Sequence, residues 1–384
     1  MKLKILAGGA ILAAAVAIAV PALMETILAA GGDLPKYEPD PTWPKPLPNH
    51  WILGQVSGTA VDSHDNIWIL QRPRTLDEHD KYGETKRADC CFPAPAVIEF
   101  DQAGNVLHAW GGPAHPVTQK GAAGEVYDWP DNEHGIFVDH DDNVWVTGNG
   151  DKDAQILKFT NTGKFLLQIG HHGKSGGSND MENLGRPAAL AVYAPTNEVF
   201  VADGYANRRV IVFDATTGAY KRHWGAYGKK PDDSAPRTRV YEGPGSPQFN
   251  LVHGIRISND GLVYVADRVN NRIQVFRLDG TFVKEGYIER GTSAAEGTAF
   301  DVAFSPDREQ RFFYVPDGSN KKVQIVDRQT LQIVGFFGGH GGHGVGEFFH
   351  IHSIATDSKG NVYLGEVNNG RRVMRWNYKG MGSR

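Results

Sequence analysis

The sequence predicts an all-β chain folded as a six-bladed β-propeller of four-stranded antiparallel blades. Three observations predict it. A strand–turn–strand segment recurs six times, with successive starts 47–77 residues apart. Most copies run on into a third and a fourth strand. The composition, with 46 Gly, 18 Phe, 13 Tyr and 8 Trp against 5 Met, suits short strands and tight turns better than helices. Repeating units of roughly 40–50 residues with four strands each are the signature of a propeller, and six copies make six blades.

In chain order, the first thirty residues are a different material. Lys2 and Lys4 precede an apolar run from Ile5 to Val20, and Pro21 breaks it. That layout predicts a secretory signal, with small residues at Val20-Pro21-Ala22 or Leu28-Ala29-Ala30 for cleavage. The rival reading is an uncleaved anchor, because the apolar stretch continues to Ala30 with only Glu25 interrupting it. Either reading places the folded part outside the cytoplasm, periplasmic or secreted, with membrane contact only through the anchor. Residues 31–50 are rich in proline and read as an extended tether, and 51–380 as the propeller. The two cysteines, Cys90 and Cys91, are adjacent. They read as a strained or reduced pair without function, with free thiols or a metal contact as alternatives.

The six copies are "SGTAVDSHDNIWIL" from Ser57, "HGIFVDHDDNVWVT" from His134, "AALAVYAPTNEVFVA" from Ala188, "HGIRISNDGLVYVA" from His253, "FDVAFSPDREQRFFYVP" from Phe300 and "HSIATDSKGNVYLG" from His352. Each alternates with period two and turns on Asp, Asn or Gly, as hairpins do. Long insertions fall at 71–96, inside blade one, and at 225–250, before blade four. Loops of that length carry function or are surface decoration.

The first strand of each blade lines the central channel, so equivalent residues form a ring. Here the ring reads Ser57, His134, Ala188, His253, Phe300, His352. Histidine occupies alternate blades two, four and six, about a third of a turn apart, and three imidazoles converge near the axis. With 15 His in the chain, chance gives such a pattern in roughly 0.2% of cases even after about 40 registers are allowed. The pattern therefore predicts a metal site. Neutral imidazole suits Zn, Fe, Ni and Cu, and three protein ligands leave a position open, as catalytic zinc sites do. The histidines of "GGHGGHGVGEFFH" (338–350) and "GHHG" (170–173) fall in glycine-rich connections and are weaker candidates.

With those residues identified, the chain resembles the peptidyl-α-hydroxyglycine α-amidating lyases, over about Trp43 to Tyr378. The pieces that carry the resemblance are "GQVSGTAVDSHDN", "HGIFVDHDDNVWVT", "VFVADGYANRRVIVF", "VHGIRIS", "VYVADRVNNRIQVF" and "IHSIATDSKGNVYLGE". It implies a propeller of NHL-type repeats with a three-histidine zinc in the channel. It implies that Tyr205 is a catalytic base and that Arg72 and Arg268 are active-site arginines. Asp203, Asn207, Asp267 and Asn271 belong to the broader NHL pattern and are expected to hydrogen-bond between blades. One position departs: the family follows its third histidine with an aspartate that serves a calcium site and catalysis, and this chain has Ser353. That puts calcium and the full lyase chemistry in question. Asp301, one residue after the ring position of blade five, is either a carboxylate that enters the same channel or a strand-start Asp bonded within it.

The reaction implied is cleavage of the C–N bond of a peptidyl-α-hydroxyglycine to a peptide amide and glyoxylate. A second class is a zinc-dependent hydrolase or other lyase acting on a small carbonyl, lactone or ester, which the Ser353 departure favours. A third is a non-catalytic scaffold that binds partners on its faces. A net charge of −4 with no long basic run excludes nucleic acid as an expected partner, and a monomer is expected.

Overall fold

The computed structural model describes residues 32–112, 118–120, 124 and 126–383, so the expected signal or anchor over 1–30 lies outside the described residues. Two units are distinguished. The main one is Tyr37–Tyr378, and the small one comprises the chain ends, described from Gly32 to Lys36 and from Lys379 to Ser383.

Six four-stranded antiparallel sheets follow one another along the chain, and they are the six blades. Blade one runs Gln55–Val61, Ile67–Arg72, Val97–Phe100, Val106–Trp110. Blade two is Glu133–Val138, Val144–Gly148, Gln155–Phe159, Phe165–Gly170, and blade three Ala189–Tyr193, Glu198–Asp203, Arg209–Asp214, Tyr220–Trp224. Blade four is Val252–Ile257, Leu262–Asp267, Arg272–Arg277, Phe282–Tyr287, and blade five Ala303–Phe304, Phe312–Asp317, Lys322–Asp327, Ile333–Gly338. Blade six takes Ile351–Thr356, Val362–Glu366 and Arg372–Gly382 from the end of the chain and Leu34–Pro39 from its beginning.

That last strand corrects the tether expected over 31–50. Its prolines fit because it is the outermost strand of its sheet, where one row of backbone groups has no ladder to complete. Tyr37 packs against Tyr314, Phe337 and Tyr378, with ring centroids 4.6–5.9 Å away. The inner strand of blade five also starts later than its repeat suggests, at Ala303 rather than Phe300. Asp301 is the reason: its carboxylate accepts the N–H of Val302 (2.8 Å) and of Ile354 in blade six (3.3 Å), in place of strand partners.

Alternation along the strands builds the core between blades. The second residue of strand two, or its near equivalent, is aromatic in every blade: Trp68, Trp145, Phe200, Tyr264, Tyr314 and Tyr363, all at most 1% exposed. A turn aspartate satisfies the polar tip in three of them. Trp68 Nε1 donates to Asp62 (3.0 Å), Trp145 Nε1 to Asp139 (2.9 Å) and the Tyr363 hydroxyl to Asp357 (3.0 Å). The other oxygen of Asp139 accepts the N–H groups of Asp141 and Asn143. One carboxylate thus closes the turn of "VDHDDN" and seats the tryptophan. Asp139→Ala leaves several buried donors unpaired and is expected to cost about 3 kcal/mol, read as a lower urea midpoint at unchanged m-value.

Candidate metal centre

Each channel histidine sits at an irregularity of its inner strand. Strand pairing jumps from Val252 to Gly254 and from Ile351 to Ser353, passing over His253 and His352, and from Glu133 to Ile136 across His134. Such bulges take a residue out of the ladder and re-aim its side chain, here into the channel. The ring centroids lie 4.8 Å (His134–His253), 4.8 Å (His134–His352) and 4.7 Å (His253–His352) apart. One ring nitrogen of each lies within 4.8 Å of those of the others.

The other nitrogen of each ring is held by the following blade. His134 Nδ1 bonds the carbonyl of Ala188 (2.7 Å), His253 Nδ1 that of Phe300 (2.5 Å) and His352 Nδ1 that of Ser57 (2.8 Å). A carbonyl only accepts, so Nδ1 carries the hydrogen and each Nε2 keeps a lone pair. Burial holds all three imidazoles well below their ordinary pKa, and the nearby arginines Arg72 and Arg268 push the same way. The donor set is therefore three neutral imidazoles. His253 Nε2 is buried without a hydrogen-bond partner, an orphan that a metal ion would satisfy. The residues present fit a divalent ion of the zinc type.

A second device fixes the backbone upstream. The N–H three residues before a ring position is bonded by a side chain: Asp131 to Asp153 (2.8 Å), Gly185 to Asp203 (2.7 Å), Asn250 to Asp267 (2.7 Å) and Phe349 to Glu366 (2.6 Å). Gly54 is held in the same way by Gln71 (2.8 Å). Asp203 and Asp267 also take Arg209 and Arg272, both fully buried. Of the four residues expected to bond between blades, Asp203 and Asp267 thus anchor the segments that enter their own blades. Asp153 and Glu366 were missed in the sequence, although "LGEVNNGRR" sits in register with "VADRVNNR" and places Glu366 on the position of Asp267.

The structure brings Tyr205, Arg72 and Arg268 to the histidines. The Tyr205 hydroxyl lies 2.9 Å from His134 Nε2, and Arg268 Nη1 donates to the same oxygen at 3.3 Å. Arg72 donates from Nε to the Glu133 carbonyl (2.6 Å) and from Nη1 to Gln55 (2.9 Å), and burial lowers its pKa. Asp301 is set apart from the ligand group. It lines the channel with Ser353, but its carboxylate faces Arg256 Nη2 (3.3 Å). Burial raises its pKa against the pull of Arg256. Ser353 Oγ is buried and unpartnered, and the small cavity here, about 20 Å³, has room for roughly one water. A calcium shell of six to eight oxygens does not fit a hydroxyl beside a carboxylate already paired with arginine.

The weaker histidine tracts stay outside this centre. His172 of "GHHG" bonds Asp131 (2.8 Å) in a group with Asp153, whose oxygens are already taken by the N–H groups of Asp131, Asn132 and Gly150. His343 bonds the Asn369 carbonyl and His350 pairs with Glu296. Cys90 and Cys91 are joined to each other by a disulfide in the blade-one insertion.

The NHL repeat family model matches residues 249–276. The chain is 26% identical over 335 residues to the rat peptidylglycine alpha-amidating monooxygenase, covering 83% of this chain and 30% of that protein. It is 26% identical over 351 residues to the Drosophila melanogaster peptidyl-alpha-hydroxyglycine alpha-amidating lyase 1 (85% and 57% covered). It is also 25% identical over 344 residues to the human NHL repeat-containing protein 3 (86% and 81%). The chain thus spans less than a third of the monooxygenases it matches. Among solved structures, a streptogramin B lyase superposes with a TM-score of 0.51 at 14% identity, over 91% of this chain and 98% of that one, which speaks for the fold alone.

The close approach of blades makes one glycine testable. A Cβ on Gly135 would lie 2.4 Å from the Ala188 carbonyl oxygen, the acceptor that holds His134. Gly135→Ala is expected to push that carbonyl away and to cost about 1–3 kcal/mol, measured by urea unfolding of the metal-free protein.

Proposed function

We propose that this chain, an NHL-repeat propeller related to the peptidyl-α-hydroxyglycine α-amidating lyases, is a metal-dependent lyase that cleaves a peptidyl-α-hydroxyglycine to a peptide amide and glyoxylate. The observation that carries the reading is the Tyr205 hydroxyl, 2.9 Å from a nitrogen of the three-histidine group and beside Arg268.

His134, His253 and His352 would hold the ion through Nε2. When bound, a zinc-type ion supplies Lewis acidity to the substrate hydroxyl. Tyr205, acting as the phenolate, takes the hydroxyl proton on Oη, the O–H electron pair becomes the C=O of glyoxylate, the C–N pair leaves on the amide nitrogen, and Tyr205 returns the proton to that nitrogen. Arg72 and Arg268 bind the carboxylate of the reacting end, and their guanidinium geometry suits paired hydrogen bonds to it.

A second reading, hydrolysis of a small ester or lactone, is favoured by one feature: Ser353 stands where a free carboxylate would be, and Asp301 is engaged by Arg256.

The purified protein is expected to carry about one divalent ion, and His253→Ala to lose most of it, since two ligands rarely retain zinc. Full metal retention in that variant, read by atomic absorption, overturns the metal assignment. In a glyoxylate-release assay Tyr205→Phe is expected to lose about 10²–10⁴-fold in turnover with its metal intact. Arg72→Ala is expected to act mainly on KM. Metal-loaded protein that releases no glyoxylate but hydrolyses an ester in a Tyr205-dependent way selects the second reading.

A further inference from the structure

Arg186 is a third guanidinium near Tyr205, and the chemistry above gives it no task. It lies in the connection from blade two to blade three, two residues before Ala188, whose carbonyl holds His134. Its backbone has φ of 60°, a left-handed conformation that a residue with a Cβ adopts at a cost of about 1–2 kcal/mol. Pro187 follows, which restricts it further. Such strain persists where the surroundings enforce it, commonly at functional sites.

The surroundings fix Arg186 at both ends. Its N–H donates to the Asp153 carbonyl (2.8 Å) and its Nε to the Asn149 carbonyl (2.8 Å). Its guanidinium lies 5.8 Å from the Tyr205 ring centre, and that of Arg268 lies 5.7 Å from the same centre. The tyrosine is flanked by two cations, and Arg72 adds a third beside His134.

The charges do not balance. Among the described residues, Arg72 and Arg268 bond carbonyl, amide and hydroxyl oxygens, and neither is in an ion pair. Arg186 faces one carboxylate, Asp151 at 3.2 Å, whose side chain is 94% exposed and therefore screened. Buried Glu133 and Asp153 act on Arg72, and one substrate carboxylate answers Arg72 and Arg268, which leaves Arg186 with the exposed Asp151 alone.

We propose that Arg186 is a specificity residue for a second anionic group, so that the site selects dianionic substrates. On the lyase reading, on which this identity of the substrate rests, the second group is the side-chain carboxylate of an Asp or Glu immediately before the reacting α-hydroxyglycine.

The test separates recognition from turnover. N-acetyl-Asp-Gly and N-acetyl-Asn-Gly lack the reacting hydroxyl and differ by one charge, so binding of each to the metal-loaded protein is measured by calorimetry. The wild type is expected to bind the Asp peptide about tenfold more tightly, the value of one good charge-assisted contact. Arg186→Gly suits the left-handed backbone and relieves strain, so it is expected to fold at least as well, and it is expected to bring the ratio to about one. Arg186→Lys is expected to keep part of the preference. Equal binding by the wild type, or a preference that survives in Arg186→Gly, overturns the proposal. The α-hydroxylated forms of the two peptides then read turnover. Preference in binding without glyoxylate release keeps the anion site and overturns the lyase reading. Release without preference does the reverse.

Discussion

The site depends on one interaction repeated three times, the hydrogen bond from an imidazole Nδ1 to the backbone carbonyl of the next blade. Each such bond contributes only about 1 kcal/mol net, less than the cost of burying the imidazole without it. Its larger effect is geometric. It settles the tautomer, points Nε2 at the axis and ties the position of each ligand to the seam between two blades. The bulges, the glycines after His134 and His253 and the side-chain clamps three residues upstream all act on that seam. The closure of blade six matters for the same reason, because His352 is held by Ser57 of blade one.

The electrostatics follow from what the ring lacks. Among the described residues no carboxylate belongs to the three-histidine group and the arginines beside it are bonded mostly to neutral oxygens; of the buried acids nearby, Asp301 is paired with Arg256, and Glu133, whose pKa burial raises, lies beside Arg72. The guanidinium groups of Arg72 and Arg268 thus stand beside the three imidazoles without an ion-pair partner among the described residues. In a low-dielectric channel such cations would favour the anionic substrate and the developing oxygen charge of the proposed lyase reaction. Arg256 lines both the cavity under the histidines and the wider pocket of about 460 Å³ at the turns of the inner hairpins. Arg256, paired with Asp301, is thus common to the lining of both.

Most of the architecture was legible because a repeat reports itself several times. The alternation of "FVDHDDNVWV" is ambiguous alone, but six copies in register fix both the strands and the ring position. The histidines were legible for the same reason: the ring is a list of equivalent positions, and alternate occupancy is visible in it. Tyr205, Arg72 and Arg268 lie in turns and strand ends whose side-chain direction no periodicity reports, so only a family resemblance singled them out. Leu34–Pro39 was hidden because prolines signal a linker unless the strand is known to be at an edge, which depends on the far end of the chain. Arg186 was hidden because it lies between blades, where loop lengths vary and no register exists.

The alternation of blades also explains which ring positions can vary within this chain. Blades two, four and six supply imidazole side chains to the centre. Blades one, three and five supply only a carbonyl, and any residue has one. Ser57, Ala188 and Phe300 accordingly differ in size and polarity while doing the same thing, 2.8, 2.7 and 2.5 Å from their histidines. Their side chains are free to take second tasks. Phe300 uses that freedom: its ring lies 4.7 Å under the Arg268 guanidinium and 5.5 Å from His253, which places an apolar face beside the cation proposed to bind the substrate. A threefold histidine cluster in a sixfold fold thus divides the work between backbone and side chain, and the half that uses backbone leaves sequence available for tuning the other half.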